Sequence, residues 1–261
     1  MSEALSASLP PKFTEQPVEF LHFWNPGLMS FRIRRDPAFR FAPGQFARIG
    51  LHDDAGQPIW RAYSIVSAPD EAFLEFFLVV LPGGQFSSRV AKLKLGDTML
   101  VEKQPQGFLT ADRFQTGRDL WLIATGTGLA PYLSMLRAGA IWQTFQHVVI
   151  VLSVREARDL AYLDELQAQA AHHHAGEAKL RIVTTLTRDQ APGLLQGRIN
   201  ALLENGALEQ ASGLMLDHQH SRFMLCGNPE MVETMRALLK ARGFQMHRKL
   251  TPGHIIVENY W

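Results

Sequence analysis

The sequence has a single cysteine among its 261 residues, Cys226. One thiol cannot form an intrachain disulfide, and it cannot by itself hold an iron-sulfur cluster or a structural zinc ion. Any redox centre of this protein must therefore be a bound organic cofactor. The run His172-His173-His174 has no other well-placed ligands in the sequence, so we expect no metal site.

The sequence also lacks excess charge and long apolar runs. Its formal net charge of +1 gives no support to a general nucleic-acid or membrane-surface binder. No stretch is long and apolar enough to span a bilayer. The start of the chain, residues 1–11, lacks the charged and apolar regions of a signal peptide. We therefore expect a cytoplasmic protein, and nothing in the sequence requires more than a monomer.

The composition is that of ordinary folded domains, and the length allows one large or two modest ones. Up to residue 102, short β-like runs follow one another with Pro/Gly-rich or charged connections between them. This pattern predicts an antiparallel barrel or sandwich. The six predicted strands are residues 18–24, 28–34, 45–51, 62–66, 73–81 and 98–102.

After residue 112 the pattern changes, because apolar β-like runs now alternate with stretches of helical period. This alternation predicts a parallel sheet covered by helices. We therefore expect two domains, residues 1–112 and 113–261. The predicted strands are residues 120–124, 147–152, 180–186 and 222–226, and the predicted helices are residues 131–144, 159–171, 199–204 and 229–242.

Two segments of the first half are suited to a planar, anionic cofactor. Arg61-Ala62-Tyr63-Ser64 places a guanidinium and an aromatic ring on one face of a strand, for a diphosphate and a flat ring system. Pro82-Gly83-Gly84-Gln85-Phe86-Ser87-Ser88 offers backbone N–H groups and hydroxyls for phosphate oxygens. Each segment alone is also compatible with an ordinary strand or hairpin turn. The spacing of the two segments in the sequence is what favours a cofactor site.

In the second half, Thr125-Gly126-Thr127-Gly128 joins a strand to a helix, a junction suited to a diphosphate. Pro131 replaces the third glycine of the dinucleotide fingerprint, so a simple tight turn remains an alternative. The next strand leads to Arg155 rather than to an acidic residue, which favours a nucleotide with a 2′-phosphate. Arg188 and Arg198 are suited to join it, because arginine matches phosphate geometry.

Three further features are candidates for a functional role. Cys226-Gly227-Asn228-Pro229 ends the last apolar strand, where ligands approach open α/β sheets, although a lone cysteine is also a common core residue. The chain ends in aromatic residues, which can cover a planar cofactor or simply pack. A local basic cluster, suited to docking an acidic partner, consists of Arg32, Arg34, Arg35 and Arg40.

Taken in order, the Arg61–Ser64 segment, the Gly83–Gly84 loop, the Gly126–Pro131 turn and the Cys226–Pro229 turn resemble the ferredoxin-NADP reductase family over nearly the whole chain. The segments 35–37 and 41–46 and the ending Glu258-Asn259-Tyr260-Trp261 look like its compact bacterial ferredoxin/flavodoxin-NADP reductases. The resemblance implies an antiparallel FAD-binding β-barrel followed by an α/β parallel-sheet NADP-binding domain whose tail returns to FAD. It implies an oxidoreductase that exchanges electrons between NADPH and ferredoxin or flavodoxin.

The same resemblance implies roles for single residues. Arg61 would bind the FAD diphosphate, Tyr63 would stack on the isoalloxazine, and Trp261 would lie against the adenine. The implied catalytic residues are Ser64, near flavin N5, Cys226, near the nicotinamide, and Glu258. The implied FAD-binding residues are Arg61, Ala62, Tyr63, Ser64, Gly84, Gln85, Phe86, Ser87, Ser88, Thr127, Tyr260 and Trp261. The implied NADP-binding residues are Thr125, Gly126, Thr127, Gly128, Arg155, Arg188, Arg198, Cys226, Gly227 and Asn228.

Two alternative functions stay open from the sequence. The chain could be an NAD(P)H-dependent flavin reductase or the reductase component of an oxygenase, although one cysteine excludes a fused iron-sulfur domain. It could also be a non-catalytic flavin-binding subunit, against which the retained Arg155, Cys226 and glycine turn argue. The segment 104–108 matches the family pattern only loosely, and we assign it no role.

Overall fold

The structure, a computed structural model, describes residues 12–172 and 176–259. Tyr260, Trp261, His173 and His174 therefore lie outside the described residues. The first half forms six strands: β1 (Phe13–Asn25), β2 (Leu28–Arg34), β3 (Phe46–His52), β4 (Pro58–Ser64), β5 (Phe73–Val79) and β6 (Thr98–Glu102), with a short helix α1 (Ser87–Val90) before β6.

These strands form an antiparallel sheet in the order β4-β3-β6-β1-β2-β5. A bridge between Ile65 and Phe76 joins the two edges of the sheet and closes it into a barrel. Inward-facing side chains such as Phe31 and Ile33 are fully buried, because alternate residues of a strand point to one face. The antiparallel barrel expected from the sequence is confirmed.

The second half forms a six-stranded parallel sheet in the order β10-β9-β8-β7-β11-β12. Its strands are β7 (Asp119–Thr125), β8 (His147–Val154), β9 (Lys179–Leu186), β10 (Leu195–Gln196), β11 (Ser221–Gly227) and β12 (Ile255–Asn259). The helices are α2 (Ala130–Ala138), α3 (Ala140–Thr144), α4 (Leu163–Ala171), α5 (Ile199–Glu204), α6 (Ala207–Ser212) and α7 (Pro229–Ala241), and Gly126–Leu129 forms a 3-10 turn before α2.

Several predicted boundaries were wrong. The predicted helix 131–144 is two helices, because Gly139 adopts a left-handed backbone with φ +83°. The predicted helix 159–171 begins only at Leu163, because Tyr162 has a left-handed backbone with φ 61°. The sequence patterns also missed β10, β12 and α6.

The two sheets pack against each other through a shared apolar core. Leu28, Val66 and Phe77 of the barrel belong to the same buried cluster as residues of the parallel sheet and α2. The β1–β2 turn reaches across as well, where Asn25 Nδ2 donates to Asp159 Oδ1 at 3.0 Å. Within the two described ranges, no helix is long and apolar enough to cross a membrane.

Candidate active site

The end of β4 carries an exposed cation and a half-buried ring. Arg61 is exposed, donates a hydrogen bond to the Trp60 carbonyl at 2.7 Å, and forms no ion pair with any described residue. The Tyr63 ring packs on Phe86 with 5.7 Å between centroids, which brings β4 against the glycine loop. Burial raises the pKa of Tyr63, so the ring stays uncharged. An uncompensated guanidinium beside this loop fits the diphosphate of a dinucleotide.

The loop after β5 is shaped by its own hydroxyls. Ser87 Oγ accepts a hydrogen bond from Leu81 N at 3.0 Å, and Ser88 Oγ donates to the Gly84 carbonyl. Gly83 has a left-handed backbone with φ +73° and open space around it. The two hydroxyls therefore hold the loop, and the exposed groups left for an anion are backbone N–H groups together with Arg61.

Two turns meet where the chain order of the parallel sheet reverses, between β7 and β11. A Cβ on Gly128 would lie 2.5 Å from the Cys226 carbonyl oxygen, so no side chain fits between the turns. Asn228 N donates to Thr125 Oγ1 at 2.7 Å and fixes the second turn to the first. Ligands of open α/β sheets bind at such a reversal, outside the carboxyl ends of the strands.

The three predicted catalytic residues come from both domains. Glu258 lies opposite Cys226 in the parallel pair β11–β12. A Cβ on Gly107 would lie 2.7 Å from Glu258 Oε1 and 3.0 Å from the Phe46 ring, and Phe46 is paired with Ser64 in the barrel. Contacts therefore connect Ser64 to Glu258, and Phe46 and Gly107 are site residues that the sequence did not indicate.

Cys226 itself lies inside the core. Its side chain is 0% exposed, and burial, followed by the nearby charge of Glu258, raises the pKa of the thiol well above its ordinary value. The thiol is therefore protonated. A ligand can touch it only if the atoms covering it move.

A cleft of about 1130 Å³ runs between the barrel and the carboxyl ends of the parallel strands. It is larger than common small-molecule pockets of roughly 300–1,000 Å³, and it suits a dinucleotide. Gly128, Cys226 and Gly227 lie buried beneath it. The predicted NADP-binding residues that line it are Thr125, Gly126, Thr127, Arg155, Arg188, Arg198 and Asn228.

Two arginines of this cleft are neighbours through their backbones, and neither is paired with an acidic residue of the described chain. Arg188 N donates to the Arg155 carbonyl at 2.9 Å, both residues are exposed, and neither forms an ion pair with a described residue. Arg198 differs, because its guanidinium lies 3.0 Å from Glu230. Arg155 and Arg188 are therefore better suited than Arg198 to bind an anion.

Comparison with known families agrees with this division of the site. A model of oxidoreductase FAD-binding domains matches residues 24–110, and a model of oxidoreductase NAD-binding domains matches residues 122–237. The fold and site thus define a two-domain oxidoreductase with an FAD-binding barrel and a nicotinamide-nucleotide domain.

Individual relatives narrow this class. The chain is 43% identical over 253 residues to ferredoxin–NADP reductase A of Sorangium cellulosum, covering 95% of this chain and 90% of that protein. It is 42% identical over 239 residues to the flavodoxin/ferredoxin–NADP reductase of Escherichia coli, covering 91% and 94%. A crystal structure of a ferredoxin NADP+ reductase from Neisseria gonorrhoeae with bound FAD and NADP superposes with a TM-score of 0.91 at 40% identity, covering 97% of this chain and all of that one. The chain belongs to the ferredoxin/flavodoxin–NADP reductase family.

Proposed function

We propose that this enzyme exchanges electrons between NADPH and a ferredoxin or flavodoxin through FAD held at the barrel. The observation that carries the proposal is the cleft, which joins residues 79–82 beside the glycine loop to the arginine pair of the nucleotide domain. When bound, FAD supplies the exchange of one hydride for two single electrons. We place the domain boundary at residues 112 and 113, the protein in the cytoplasm, where NADPH is available, and its working state as a monomer.

The residues of the chain bind and orient the two nucleotides. Arg61 pairs with the FAD diphosphate, Tyr63 offers its ring to the isoalloxazine, and Trp261 stacks on the adenine. Arg155 and Arg188 bind the 2′-phosphate of NADPH, because neither forms an ion pair with a carboxylate in the part of the chain that the structure describes. The glycine turn offers backbone N–H groups to the NADPH diphosphate at the start of α2. The other proposed contacts are Ala62, Gly84, Gln85, Phe86, Ser87, Ser88, Thr127 and Tyr260 for FAD, and Thr125, Gly126, Thr127, Gly128, Arg198, Cys226, Gly227 and Asn228 for NADP.

Three residues act at the reacting edge. Ser64 and Glu258, connected through Phe46 and Gly107, orient the flavin edge, and the Glu258 carboxylate relays a proton between that edge and solvent. Cys226 is the proposed neighbour of the nicotinamide, and its uncharged thiol becomes accessible when the atoms that cover it move aside. The main task of these residues is to position the reacting atoms, because a displacement of those atoms by about 1 Å can change the rate of hydride transfer roughly a hundredfold.

The basic cluster of the barrel is partly neutralised by ion pairs within the barrel. Arg32 Nε lies 3.0 Å from the buried Glu75, and Arg34 Nε lies 2.8 Å from Glu19. Arg35 donates to the Pro69 carbonyl at 2.5 Å. Two of the cluster's four positive charges are thus neutralised, and Arg35 and Arg40 are left to attract an acidic protein.

A second surface, here called the Phe108 face, suits an acidic carrier better. It consists of Phe108, Arg113, Arg248, Lys249 and Leu250, with Phe108 76% exposed and Leu250 93% exposed. The Arg113 guanidinium lies 5.5 Å from the Phe108 ring, and the neighbouring Phe114 ring packs edge-on against His247 at 5.6 Å, which brings residues 248–250 to the same surface. The three cations form no ion pair within the described ranges. Because Phe108 follows Gly107, this face adjoins the proposed flavin edge. We propose that the carrier docks there.

The test uses purified protein and four acceptors. We expect bound flavin in the visible spectrum, NADPH-dependent reduction of ferricyanide, and efficient reduction of ferredoxin or flavodoxin. Reduction of free flavin without reduction of either carrier would favour the flavin-reductase alternative. NADPH that is not oxidised with any acceptor would favour the non-catalytic subunit.

The docking face has its own test. Charge reversal at Arg248 and Lys249 should raise the KM for the carrier about tenfold while single-turnover reduction of the flavin by NADPH stays unchanged, because that step does not involve the protein partner. The matched control is charge reversal at Arg34 and Arg35. A larger effect of the control than of the first variant would move the docking site back to the barrel cluster.

A further inference from the structure

A buried polar cluster joins the two domains away from the cleft. The Glu75 carboxylate, on β5 of the barrel, is 2% exposed. Its Oε2 accepts hydrogen bonds from Arg32 Nε at 3.0 Å and from an Arg137 guanidinium nitrogen at 2.9 Å. Its Oε1 accepts a hydrogen bond from the Tyr162 hydroxyl at 2.7 Å. Arg137 and Tyr162 belong to the nucleotide domain, so one carboxylate of the barrel binds two donors of the other domain.

The cluster is balanced in charge. The Arg137 guanidinium binds Glu165 with two hydrogen bonds of 2.7 and 2.8 Å, so two arginines face two carboxylates. Burial acts to lower the pKa of Arg137, but the hydrogen bonds and charges of Glu165 and Glu75 raise it above its ordinary value. Burial and the Glu75 charge raise the pKa of Tyr162. The arginine therefore stays charged and the tyrosine stays a donor throughout the physiological range.

The Tyr162 ring is itself held between the domains. Its hydroxyl lies 2.6 Å from Ser30 Oγ, which also accepts a hydrogen bond from Trp24 Nε1 at 2.8 Å. The ring packs against Trp24 at 4.6 Å and edge-on against Phe77 at 5.2 Å. Apolar packing of this kind is not directional and tolerates sliding, whereas charge-assisted hydrogen bonds fix a geometry.

The two elements that carry Arg137 and Glu75 each adjoin one of the proposed cofactor loops. Arg137 and Ser134 lie on α2, whose first turn follows the glycine turn of the nucleotide site. Glu75 lies on β5, which leads into the flavin loop. Ser134 Oγ donates to the Ser67 carbonyl at 2.7 Å, three residues after Ser64. The cluster thus links the helix that begins at one cofactor site to the strands that end at the other.

We propose that the Glu75 cluster, defined as Glu75, Arg137, Tyr162, Arg32 and Glu165, sets the separation between the flavin loop and the nucleotide turn. Glu75 and Arg137 are then positioning residues for hydride transfer, an assignment that rests on the proposed function. A buried ion pair is weak evidence for a gain in folding stability. Its better attested role is to specify one relative arrangement of the elements that it joins.

The experiment compares Glu75→Gln with the matched control Glu102→Gln, which removes an ion pair within the barrel, between Arg48 and Glu102 at 2.6 Å. We expect Glu75→Gln to retain FAD and to slow single-turnover flavin reduction by NADPH about tenfold to a hundredfold. The long-wavelength charge-transfer absorbance between nicotinamide and flavin should fall as well. Glu102→Gln should leave the rate and the absorbance within about twofold of the parent.

A milder variant covers the case in which Glu75→Gln does not fold. Tyr162→Phe keeps the ring and removes only the hydroxyl, and we expect a smaller loss of the hydride rate and of the charge-transfer absorbance at unchanged FAD content. Rates and absorbance equal to the parent in a folded variant would overturn the positioning role. If the parent protein itself is not reduced by NADPH, the proposed function fails instead, so the two failures are distinguishable.

Discussion

Cys226 and Glu258 lie directly opposite each other in the parallel pair formed by β11 and β12. One brings a fully buried thiol and the other a half-buried carboxylate. Their side chains share one face of the sheet, since paired residues of neighbouring strands point the same way. The carboxylate reaches the barrel at Gly107, so this pair lies where the two domains meet.

Removing the charge of Glu258 should slow the reductive half-reaction. We expect Glu258→Gln to keep FAD and to lower the single-turnover rate with NADPH by about tenfold or more, because Glu258 orients the reacting edge and a displacement of about 1 Å can change a rate roughly a hundredfold. Stopped-flow absorbance of the flavin measures this rate. Glu204→Gln, at an exposed position on α5, is the control. An unchanged rate in Glu258→Gln would remove this residue from the catalytic set.

The buried thiol should make the protein less stable in alkali. Because folding raises the pKa of Cys226, the unfolded chain loses its proton above the ordinary value of 9.0 while the folded protein keeps it. The free energy of unfolding should therefore fall above pH 9.0, by up to about 1.4 kcal/mol per pH unit. Urea denaturation between pH 8 and 10 checks this, and Cys226→Ala should show a shallower fall. Equal slopes for both proteins would contradict the prediction.

Selectivity for NADPH should depend on the arginine pair more than on Arg198. We expect Arg155→Ala and Arg188→Ala each to lower kcat/KM for NADPH about tenfold to a hundredfold, since a charge-assisted hydrogen bond contributes about 1.5–3 kcal/mol. The kcat/KM for NADH should change little. Arg198→Ala should have a smaller effect, because Glu230 already pairs with that guanidinium. Parallel losses with NADPH and NADH would show that these residues do not contact the 2′-phosphate.

The contact between the two turns should not tolerate a methyl group. We expect Gly128→Ala to destabilise the protein by about 1–3 kcal/mol, because its Cβ would meet the Cys226 backbone at 2.5 Å. Thermal unfolding measures the change. Gly27→Ala, whose Cβ would have no neighbour closer than 3.5 Å, should be nearly neutral. A Gly128→Ala variant as stable as the parent would mean that the turns are free to separate.

Removing Trp261 should loosen FAD more than it slows hydride transfer. If the indole stacks on adenine, its loss should weaken FAD binding about 5- to 150-fold, as expected for one lost base–aromatic stack. FAD dissociation and single-turnover reduction are measured separately on the one-residue truncation. Unchanged FAD retention would leave Trp261 a packing residue, and a collapse of hydride transfer with FAD still bound would assign it to the nicotinamide side.

Local sequence patterns predicted both sheets because each strand is a short apolar run between turn residues. They could not predict the break at Gly139, since a lone glycine in a helical pattern is often tolerated. For residues 255–259 the sequence predicts only a tail that covers a cofactor or packs, because three apolar residues near a terminus carry too little periodicity to identify a strand. The structure instead pairs Ile255 and Ile256 with β11.

Sequence patterns predict the site residues that lie close together in the sequence, and they miss the contacts between distant parts of the chain. The motif residues of both nucleotide sites stand next to one another in sequence and could be recognised. Glu75 binds residues 62 and 87 positions further along the chain, and no short pattern connects them. The contact of Gly107 with Glu258 likewise exists only once the two domains have docked.

The hydrogen bond between Asn25 and Asp159 joins residues 134 positions apart, and this separation bears on how the protein is made. N-terminal domains fold as units during synthesis at about 5–20 residues per second. The last barrel strand ends at Glu102, and Tyr162 leaves the ribosome some 60 residues later, after roughly 3–12 seconds at that pace. During that interval the nascent barrel exposes Leu28 and Phe77 to water, and a chaperone bound to that patch would keep it free of other chains until the second domain covers it.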